Sequence, residues 1–511
     1  MTKTYYITTP IYYPSAKPHM GHAYSSIIAD FFARFKRIDG YEVYFLTGTD
    51  EHGLKIQRAA EKEGLDTLKF CDVISKTFLD LSTKLNLTNT DFIRTTEKRH
   101  FNSVQNLWNE LKKNDDIYLS KYSGWYSVSD EAFYNEDEIV EVDGKKISIS
   151  SKSLVEWVDE ESYFFRLSKW QQPLLDLYEK NPNFISPESR RNEVVSFVKS
   201  GLKDLSVSRR SFSWGIKVPN DNDHVIYVWL DALTNYISAL NYPDKNNDLF
   251  KKFWPASVHI IGKDILRFHA VYWPAFLLAA KIDIPKKVYG HGWILSGDEK
   301  MSKSKGNILD PLEIIEKYGL DPLRYYLIKE VSFGNDGNIS SERLEDCINS
   351  DLANNFGNLC QRVTAFAIKN CDGKIPKNIE FINDDLKILN KYKDNIDKLR
   401  SEIDKQNINF YIDYIVSSLF EANKYFNDQE PWNKKKDLVR LNTIVYTTFE
   451  IVRKICFLMY PIIPSTSLNA LKIFNINEKD IDLSSITKND FLKKGDYINK
   501  IDILFKKIEK K

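Results

Sequence analysis

A predicted strand, a proline-rich loop and a predicted helix follow one another at the start of the chain, and this order restricts its fold more than any other feature. The residues "KTYYIT" form a short apolar run that predicts a buried strand. From Tyr24 onward apolar residues recur at helical spacing, and Gly40 follows as a stop signal. His19 and His22 therefore stand at the start of a helix, where free N–H groups and the helix dipole favour a phosphate group.

Changes in the sequence pattern divide the rest of the chain. Residues 1–115 alternate strand-like and helix-like segments, which is typical of a parallel α/β sheet, and the same pattern resumes over 225–295. Residues 116–224 lie between these two parts and have a mixed pattern, with a hairpin predicted at "EDEIVEVDGKKISIS". From 341 to 511 apolar residues recur every three or four positions, which predicts an all-helical region that ends in a basic amphipathic helix.

Composition excludes several classes of protein. The chain has 511 residues and a net charge of +1, so any basic surface for a nucleic acid must be local. Its five cysteines contain no C-x-x-C pair, which indicates a reducing compartment and argues against a disulfide framework. The longest apolar runs are too short to span a bilayer, and no signal peptide is visible. We therefore expect a cytoplasmic protein.

A second motif, "SGDEKMSKSKGN", is a polar loop in which Lys300, Lys303 and Lys305 lie between Gly297 and Gly306. Lysines between glycine hinges suit a mobile clamp on a developing phosphate charge. Each motif also has an interpretation without function. The lysine cluster could be an ordinary solvated basic loop, and H-x-G-H could be a histidine-rich turn. The string K-M-S-K-S is more specific than a generic cluster, and it follows H-x-G-H in the chain.

Together the two motifs resemble the paired signatures of the class I aminoacyl-tRNA synthetases. The segments "TTPIYYPSAKPHMGHA", "TGTDEHG", "YVWLDALTNYI" and "GKDILRFHAVYWPAFL" are similar to those of the methionyl-tRNA synthetases in that class. The resemblance covers the whole chain. It implies a Rossmann-like parallel-sheet catalytic domain with an inserted connective domain at 116–224, then the KMSKS loop and a stem-contact region over 296–340. An all-α anticodon-binding helical bundle is implied for 341–511.

The resemblance implies a ligase reaction in two steps. The carboxylate of methionine attacks the α-phosphorus of ATP, which forms methionyl-adenylate and releases pyrophosphate. The amino acid is then transferred to the 3′ end of tRNA(Met), including the initiator tRNA. Neither step needs an enzyme nucleophile, so catalysis depends on positioning and charge stabilisation. Mg²⁺ is expected with ATP because it neutralises the triphosphate.

Roles in ATP binding follow from positions that match the family's motifs. Lys303, supported by Lys300, is implied to hold the pyrophosphate side, while the histidines stabilise the phosphate that is transferred. Gly21 lets the nucleotide approach the backbone closely. The implied catalytic residues are His19, His22, Lys300 and Lys303. The implied ATP-binding residues are His19, Gly21, His22, Gly262, Asp264 and Lys303.

A methionine pocket can also be argued from chemistry. A thioether needs polarizable aromatic walls rather than hydrogen-bond partners. Asp50 follows the end of a predicted strand and suits the ammonium group of the substrate, the role that the family assigns to it. Trp229 and Tyr236 could by spacing alone be core residues of a helix; the resemblance favours the pocket. The proposed methionine-binding residues are Ile11, Tyr12, Asp50, Val228, Trp229, Ala232, Leu233, Tyr236, Ile265, His269 and Trp273.

Three residues of the helical region match the family's anticodon-reading positions. Asn358 and Arg362 are four residues apart and so share one helix face. Both can hydrogen-bond to an unstacked base, and Trp432 can stack on one. Without the family match, Asn358 and Arg362 could equally be an ordinary surface pair, and Trp432 could be a packed structural residue.

The chain departs from some relatives in the inserted segment. Ser127 and Asp130 stand where those relatives have cysteines, and no other Cys/His set has tetrahedral spacing, so we predict no structural zinc. The chain ends at Lys511 without the C-terminal module that dimerises some relatives, so we predict a monomer.

Three alternatives remain at this point. One is a class I synthetase for leucine, isoleucine, valine or cysteine, although the insertion is short for an editing domain. Another is a small-molecule nucleotidyltransferase that shares H-x-G-H, for which the helical region would have no purpose. The third is a non-catalytic tRNA-binding relative, which would not need His19, His22 and Lys303.

Overall fold

The computed structural model describes residues 3–130, 132–296, 299–300 and 310–509. Its chain divides into two compact units. The sheet unit comprises Thr4–Ala29 and Val43–His291, and the helical unit comprises Met1–Lys3, Asp30–Glu42 and Gly292–Lys511. No helix within the described ranges is long and apolar enough to cross a membrane.

The strands up to residue 291 belong to a main sheet and to several smaller ones. They are β1 (Thr4–Tyr12), β2 (Glu42–Thr49), β3 (Asp91–Arg94), β4 (Ile117–Ser127), β5 (Ala132–Tyr134), β6 (Ile139–Val142), β7 (Lys145–Ser148), β8 (Glu156–Phe165), β9 (Ile185–Ser186), β10 (Leu205–Ser206), β11 (Ser208–Arg209), β12 (Lys217–Val218), β13 (Asp221–Ile226), β14 (Val258–Gly262) and β15 (Val288–His291).

The helices of the same stretch are α1 (Met20–Ile38), α2 (Leu54–Lys62), α3 (Thr67–Lys84), α4 (Lys98–Lys113), α5 (Gln171–Lys180), α6 (Glu188–Lys199), α7 (Val228–Leu233), α8 (Asn235–Ser238), α9 (Asp248–Phe253) and α10 (Trp273–Ala279). A π-helical segment, Phe268–Tyr272, leads directly into α10.

The main sheet has the strand order β3-β2-β1-β14-β15-β9. The pairs β1–β14, β14–β15, β15–β9 and β2–β3 are all parallel, as the alternating pattern predicts. The central strands β1 and β14 are buried over most of their length, which explains their nearly continuous apolar sequence. The carboxyl ends of the parallel strands therefore lie on one edge of the sheet, where open α/β sheets bind their ligands.

The strand–loop–helix unit at the start of the chain is confirmed, with longer elements than predicted. Strand β1 continues to Tyr12, and α1 begins at Met20 rather than at Tyr24. The helix ends where the sequence indicates, because Gly40 adopts a positive φ of 80° and its N–H donates to the carbonyl of Arg37. The loop between the two elements places the histidine motif directly at the helix start.

Part of the segment 116–224, predicted to be an inserted domain, joins the main sheet. Strands β4, β5, β8 and β10 do form a sheet of their own. Strand β9, however, pairs in parallel with β15 at the edge of the main sheet. The Tyr178 hydroxyl on α5 also donates to the carbonyl of Ala270 at 2.7 Å. A two-residue strand such as β9 has no periodic signal, so the sequence pattern could not show it.

The predicted hairpin is confirmed. Strands β6 and β7 pair antiparallel, with Val142 opposite Lys145. The two residues between them, Asp143 and Gly144, both have positive φ values, of 51° and 73°. This is the conformation that a two-residue hairpin turn with the strand twist requires, and it explains the Asp-Gly sequence.

The helical unit contains most of the chain beyond residue 291. Its elements are β16 (Ile294–Ser296), β17 (Glu299–Lys300), β18 (Gly337–Asn338), α11 (Pro311–Tyr318), α12 (Leu320–Glu330), α13 (Ser341–Cys347), α14 (Asn358–Asn370), α15 (Asn383–Asp404), α16 (Ile408–Asp428), α17 (Leu438–Met459) and α18 (Pro464–Leu471), with a π-helical segment at Ile348–Gly357.

The prediction of a basic amphipathic helix at the end of this unit is wrong. The described part of the last dozen residues, 499–509, has no helical turn. Instead, the backbone N–H of Ile508 donates to the side-chain oxygen of Asn349 at 2.8 Å, and the Asn349 amide donates to the Ile508 carbonyl at 2.9 Å. At Ile508 both backbone groups thus bond to a side chain 159 residues away in the chain rather than within a helix.

A buried arginine links several segments of the helical unit. Arg324 on α12 is completely buried and donates to Asp30 at 2.7 Å and to the carbonyl of Ile462 at 2.8 Å. Asp30 also accepts from Arg34 at 2.7 Å. These bonds compensate charges that would otherwise be costly to remove from water.

We expect Arg324→Met to lower the free energy of unfolding of the helical unit by about 3–5 kcal/mol, because the buried carbonyl of Ile462 loses its donor and Asp30 keeps only Arg34 as a partner. Chemical denaturation of the full chain measures this. The matched control is Arg343→Met, since the Arg343 side chain is 50% exposed and bonds Glu330 at the surface; its cost should be about 1 kcal/mol or less. Equal effects of the two substitutions would contradict the prediction.

Candidate active site

The two histidines of the motif are held by backbone N–H groups. The N–H of Gly21 donates to Nδ1 of His19 at 3.0 Å, and the N–H of His19 donates to Nδ1 of His22 at 3.1 Å. Because an N–H can only donate, each Nδ1 carries no proton, and the proton of each neutral ring lies on Nε2. The two ring centroids are 3.9 Å apart. The pair therefore presents two N–H donors at the start of α1.

Aromatic side chains surround the inner histidine. Rings of Tyr12 and Phe78 lie 4.8 Å and 5.2 Å from that of His22, and the Tyr12 hydroxyl bonds Ser26 at 2.7 Å. Desolvation by these groups lowers the pKa of His22 well below its ordinary value, and the neighbouring His19 adds to this. His22 is therefore neutral near pH 7, and it acts as a hydrogen-bond donor rather than as a cation.

Gly21 is required by the geometry of the motif. A Cβ atom at this position would lie 3.0 Å from Cε1 of His19 and 3.2 Å from its Nδ1. Any side chain would thus press on the ring that Gly21 itself orients through its N–H. The glycine between the two histidines keeps the first ring in place.

A second group of predicted residues lies around Tyr236. Its hydroxyl bonds Nε2 of His269 at 2.7 Å, and Nδ1 of His269 bonds the carbonyl of Ile265 at 2.9 Å. A carbonyl only accepts, so the proton of His269 lies on Nδ1 and the tyrosine donates to Nε2. Burial lowers the pKa of His269 to about 4, so this ring is neutral.

Aromatic rings form the walls beside this pair. The ring of Trp229 stacks on that of Phe268 with centroids 3.7 Å apart and planes 7° from parallel. The ring of Trp273 lies 6.2 Å from that of Tyr236. Ile11 and Ile265 pack, partly buried, against the same apolar cluster. Among the aliphatic residues predicted for the pocket, the buried ones are Val228, Ala232 and Leu233.

Asp50 lies at the end of β2, and 6% of its surface is exposed. Its backbone N–H donates to the carbonyl of Tyr12 at 2.9 Å. Burial raises the pKa of Tyr236, and the charges of Tyr12 and Asp50 raise it further, so these side chains interact electrostatically. The backbone bond places Asp50 directly beside Tyr12, one of the aromatic residues predicted for the pocket.

The segment that carries Asp50 is fixed by a buried carboxylate on α7. Asp231 is fully buried and accepts from Nδ1 of His52 at 2.6 Å and from Nε2 of His100 at 2.7 Å. Burial alone would raise the pKa of Asp231, but His52 and His100 lower it below its ordinary value. Asp231 therefore stays ionised and joins the end of β2, α4 and α7.

The predicted adenosine contacts follow β14. A Cβ atom on Gly262 would lie 2.6 Å from Oδ1 of Asp264, so only glycine lets this carboxylate fold back over the strand end. Nearby, Nε2 of His291 bonds the hydroxyl of Ser25 at 2.8 Å. The ends of β14 and β15 and the first turns of α1 thus lie together.

Other predicted residues lie in the helical unit. Arg362 donates to Asn427 at 2.7 Å, and its guanidinium lies over the ring of Phe426, 5.5 Å from the centroid. The ring of Trp432 is 6.2 Å from that of Phe426, and 40% of the tryptophan is exposed. Asn358 is exposed at the start of α14. Arg362 and Trp432 thus share a neighbour, a proximity that the sequence could not show.

The lysine motif is only partly described. Lys300 ends the short strand β17, which pairs antiparallel with β16. Lys303 and Lys305 lie outside the described residues.

The two positions considered for zinc belong to a hydrogen-bonded cluster. Asp130 accepts from the hydroxyls of Tyr134 at 2.7 Å and of Ser151 at 2.5 Å, and Ser127 bonds Ser153 at 2.9 Å. Within the described residues no group of three or more His, Cys, Asp or Glu side chains could hold a metal ion.

Comparison with known proteins identifies the family. A model described as tRNA synthetases class I (M) matches residues 5–364, and one described as the anticodon binding domain of methionyl tRNA ligase matches residues 375–511. The chain belongs to the methionyl-tRNA synthetases of class I. Its activity is that of a methionine–tRNA ligase, which activates methionine with ATP and charges tRNA.

Relatives match over nearly their full length. The methionine–tRNA ligase of Brucella suis biovar 1 (strain 1330) is 50% identical over 474 residues, 92% of either chain. That of Rickettsia felis is 49% identical over 100% of this chain and 99% of its own. The solved structure of the Mycobacterium tuberculosis methionyl-tRNA synthetase in complex with methionyl-adenylate superposes on this chain with a TM-score of 0.96 and 44% sequence identity. The match covers 99% of this chain and 100% of that one. The predicted family, fold class and reaction are confirmed, and the three alternatives are wrong.

Sequence reasoning missed several residues of the candidate site. The most important are His52, His100 and Asp231, together with Phe78 and Phe268. Of these residues, only Asp231 could have been found from the sequence, because an acidic residue within the apolar run "VWLDAL" indicates a buried charge that needs a partner. The partners themselves are 179 and 131 residues away and could not be identified without the fold.

We expect His269 to make the stability of the sheet unit depend on pH. Its pKa is about 4 when folded, below the ordinary value of 6.5, so the unfolded chain binds the extra proton between these values. Its contribution to stability is therefore full above pH 6.5 and is lost as pH falls towards 4. In His269→Gln the unfolding free energy should fall less steeply over this range, by about 1.4 kcal/mol per pH unit.

Denaturation series at several pH values measure this slope. Tyr236→Phe is the control, because it removes the hydroxyl that bonds His269 but leaves the imidazole buried; it should keep the slope of the unmodified chain. An unchanged slope in His269→Gln would show that this ring does not titrate in the expected way.

Proposed function

We propose that different groups of residues in this chain bind the phosphates, the methionine, the adenosine and the anticodon during the methionine–tRNA ligase reaction. The observation that carries this proposal is the pair of Nε2–H donors, of His19 and His22, at the start of α1. They donate to phosphate oxygens where negative charge increases as the methionine carboxylate attacks the α-phosphorus. Neutral donors that are already oriented need no rearrangement during the reaction.

The pocket around Tyr236 holds methionine. Asp50 binds the ammonium group, and the aromatic walls contact the thioether. The proton on Nδ1 of His269 leaves its Nε2 to accept from Tyr236, so neither ring presents an unsatisfied donor to the sulfur. The complete set is Ile11, Tyr12, Asp50, Val228, Trp229, Ala232, Leu233, Tyr236, Ile265, His269 and Trp273.

Gly262 and Asp264 contact the adenosine, with the carboxylate of Asp264 accepting from the ribose. Gly21 allows the nucleotide close to the backbone. Lys303, with Lys300, holds the pyrophosphate. Mg²⁺ would be bound mainly by the triphosphate oxygens and would neutralise their charge, since a Mg²⁺ site of this type needs few protein ligands.

The helical unit reads the anticodon of tRNA(Met), of both the initiator and the elongator. Arg362 and Asn358 donate to an unstacked base, and Trp432 stacks on it. Asn427 and Phe426 hold Arg362 in place for this contact. Single-stranded loops are commonly recognised through such a combination of stacking and hydrogen bonding.

We also propose a cytoplasmic monomer without structural zinc. Support for the last point comes from the hydroxyl groups that already occupy the hydrogen-bonding positions of Asp130. Bonded hydroxyls are poor ligands for zinc, which prefers thiolate and imidazole groups.

The proposed pocket predicts pyrophosphate exchange into ATP with methionine and with no other standard amino acid. In His22→Gln the rate of this exchange should fall by about 10²–10³-fold, the usual loss for one oriented donor. Methionine binding, followed by tryptophan fluorescence, should be unchanged because His22 faces the phosphates. Exchange with a different amino acid would overturn the assignment of Trp229 and Tyr236, and lost methionine binding in His22→Gln would overturn the separation of roles.

The proposed anticodon site predicts that Trp432→Ala keeps methionine-dependent exchange and loses about 5- to 100-fold in the kcat/KM of tRNA charging, as expected for one base stack. Trp157→Ala is the control, because Trp157 is 53% exposed in the other unit; it should change neither reaction. Equal losses of exchange and charging in Trp432→Ala would mean that the tryptophan has a structural role instead.

A further inference from the structure

An exposed phenylalanine lies on the helix that supports the proposed anticodon site. Phe420 on α16 has 63% of its surface exposed, more than Trp432. Single exposed apolar residues are common and carry no meaning by themselves. The position of Phe420 on its helix is what distinguishes it.

The exposed residues of α16, which also include Asp413 and Asp428, lie along one side of the helix. Ser417, Phe420, Lys424 and Asn427 are all exposed and recur at intervals of three or four residues, so they lie on one face of the helix. The opposite face is buried, with Leu419, Ala422 and Phe426 among its members. We refer to Phe420, Lys424 and Asn427 as the α16 stripe.

One end of the α16 stripe belongs to the proposed anticodon site. Asn427 accepts from Arg362 at 2.7 Å. The preceding residue, Phe426, is buried and contacts both Arg362 and Trp432. Phe420 is seven residues before Asn427, about 10 Å along the helix axis. Lys424 lies between them in the chain, at a position on the same face of the helix. The stripe therefore continues the site without interruption.

The chemistry of the α16 stripe fits a single strand of RNA. An aromatic ring provides a platform for a base, and a lysine beside it neutralises the phosphate that connects this base to the next. The chain as a whole has a net charge of only +1, so RNA affinity depends on local groups of this kind. Asn427 can donate through its amide nitrogen while its oxygen holds Arg362.

We propose that Phe420 stacks on a second unpaired base of the anticodon loop and that Lys424 binds the phosphate between this base and the one at Trp432. This inference rests on the proposed role of Arg362 and Trp432. It extends the tRNA contact along α16 and adds two residues that contribute to tRNA affinity rather than to the activation of methionine.

The test is charging of full-length tRNA(Met) by the full chain carrying Phe420→Ala. Its kcat/KM should fall about 5- to 100-fold, with methionine-dependent pyrophosphate exchange unchanged. Phe420→Trp should retain the activity of the unmodified chain, because stacking requires an aromatic ring and not phenylalanine itself. Because the side chain is exposed, these substitutions should not disturb folding.

Lys424→Ala gives a second readout. Binding of an RNA hairpin that carries the anticodon arm of tRNA(Met) should weaken, and the slope of log affinity against log salt should become smaller by about 1. Ile503→Ala is the matched control, since Ile503 is 62% exposed elsewhere in the helical unit; it should alter neither charging nor hairpin binding.

The outcomes separate this inference from the proposed function. Normal charging by Phe420→Ala, with a loss in Trp432→Ala, would overturn the α16 stripe and leave the anticodon site intact. Normal charging by both variants would overturn both. A loss in Phe420→Ala that Phe420→Trp does not restore, or a parallel loss of exchange, would also overturn the stacking role.

Discussion

A single buried carboxylate organises the region in which we propose that methionine binds. Asp231 is completely removed from water, and ionised groups in that position destabilise a fold by several kcal/mol unless they are paired. Its pairing with His52 and His100 therefore dictates where the end of β2 and helix α4 must lie relative to α7. The same helix carries Trp229, and the same loop carries Asp50. The walls and the charge of the pocket thus have a common support.

In the histidine motif, too, the need to pair polar groups fixes the position of side chains. Backbone N–H groups at the start of α1 would be unsatisfied within the helix, and two of the nearest acceptors are the Nδ1 atoms of His19 and His22. Satisfying these donors also selects the tautomer of each ring. Local backbone geometry, rather than an external base, therefore decides that the Nε2 atoms donate.

In the helical unit a buried network and an exposed site coexist for different reasons. Arg324 and Asp30 compensate each other inside the unit and stabilise it. Arg362, in contrast, is oriented by Asn427 and Phe426 at the surface. Orientation by neighbours limits the entropy that a long side chain loses on binding, which would favour the RNA contact that we propose for Arg362.

The sequence by itself determined the family, the α/β and all-helical regions, the Asp143-Gly144 hairpin and the position of His19 and His22 at a helix start, because each depends on local spacing or a specific motif. It could not show β9, whose two residues have no period, or the tail without a helix, in which Ile508 bonds to Asn349. Only the tertiary structure joined His52 and His100 to Asp231, and Arg362 to Asn427. Such pairs are far apart in the chain, and the partner of a buried charge is decided by packing, which sequence spacing does not record.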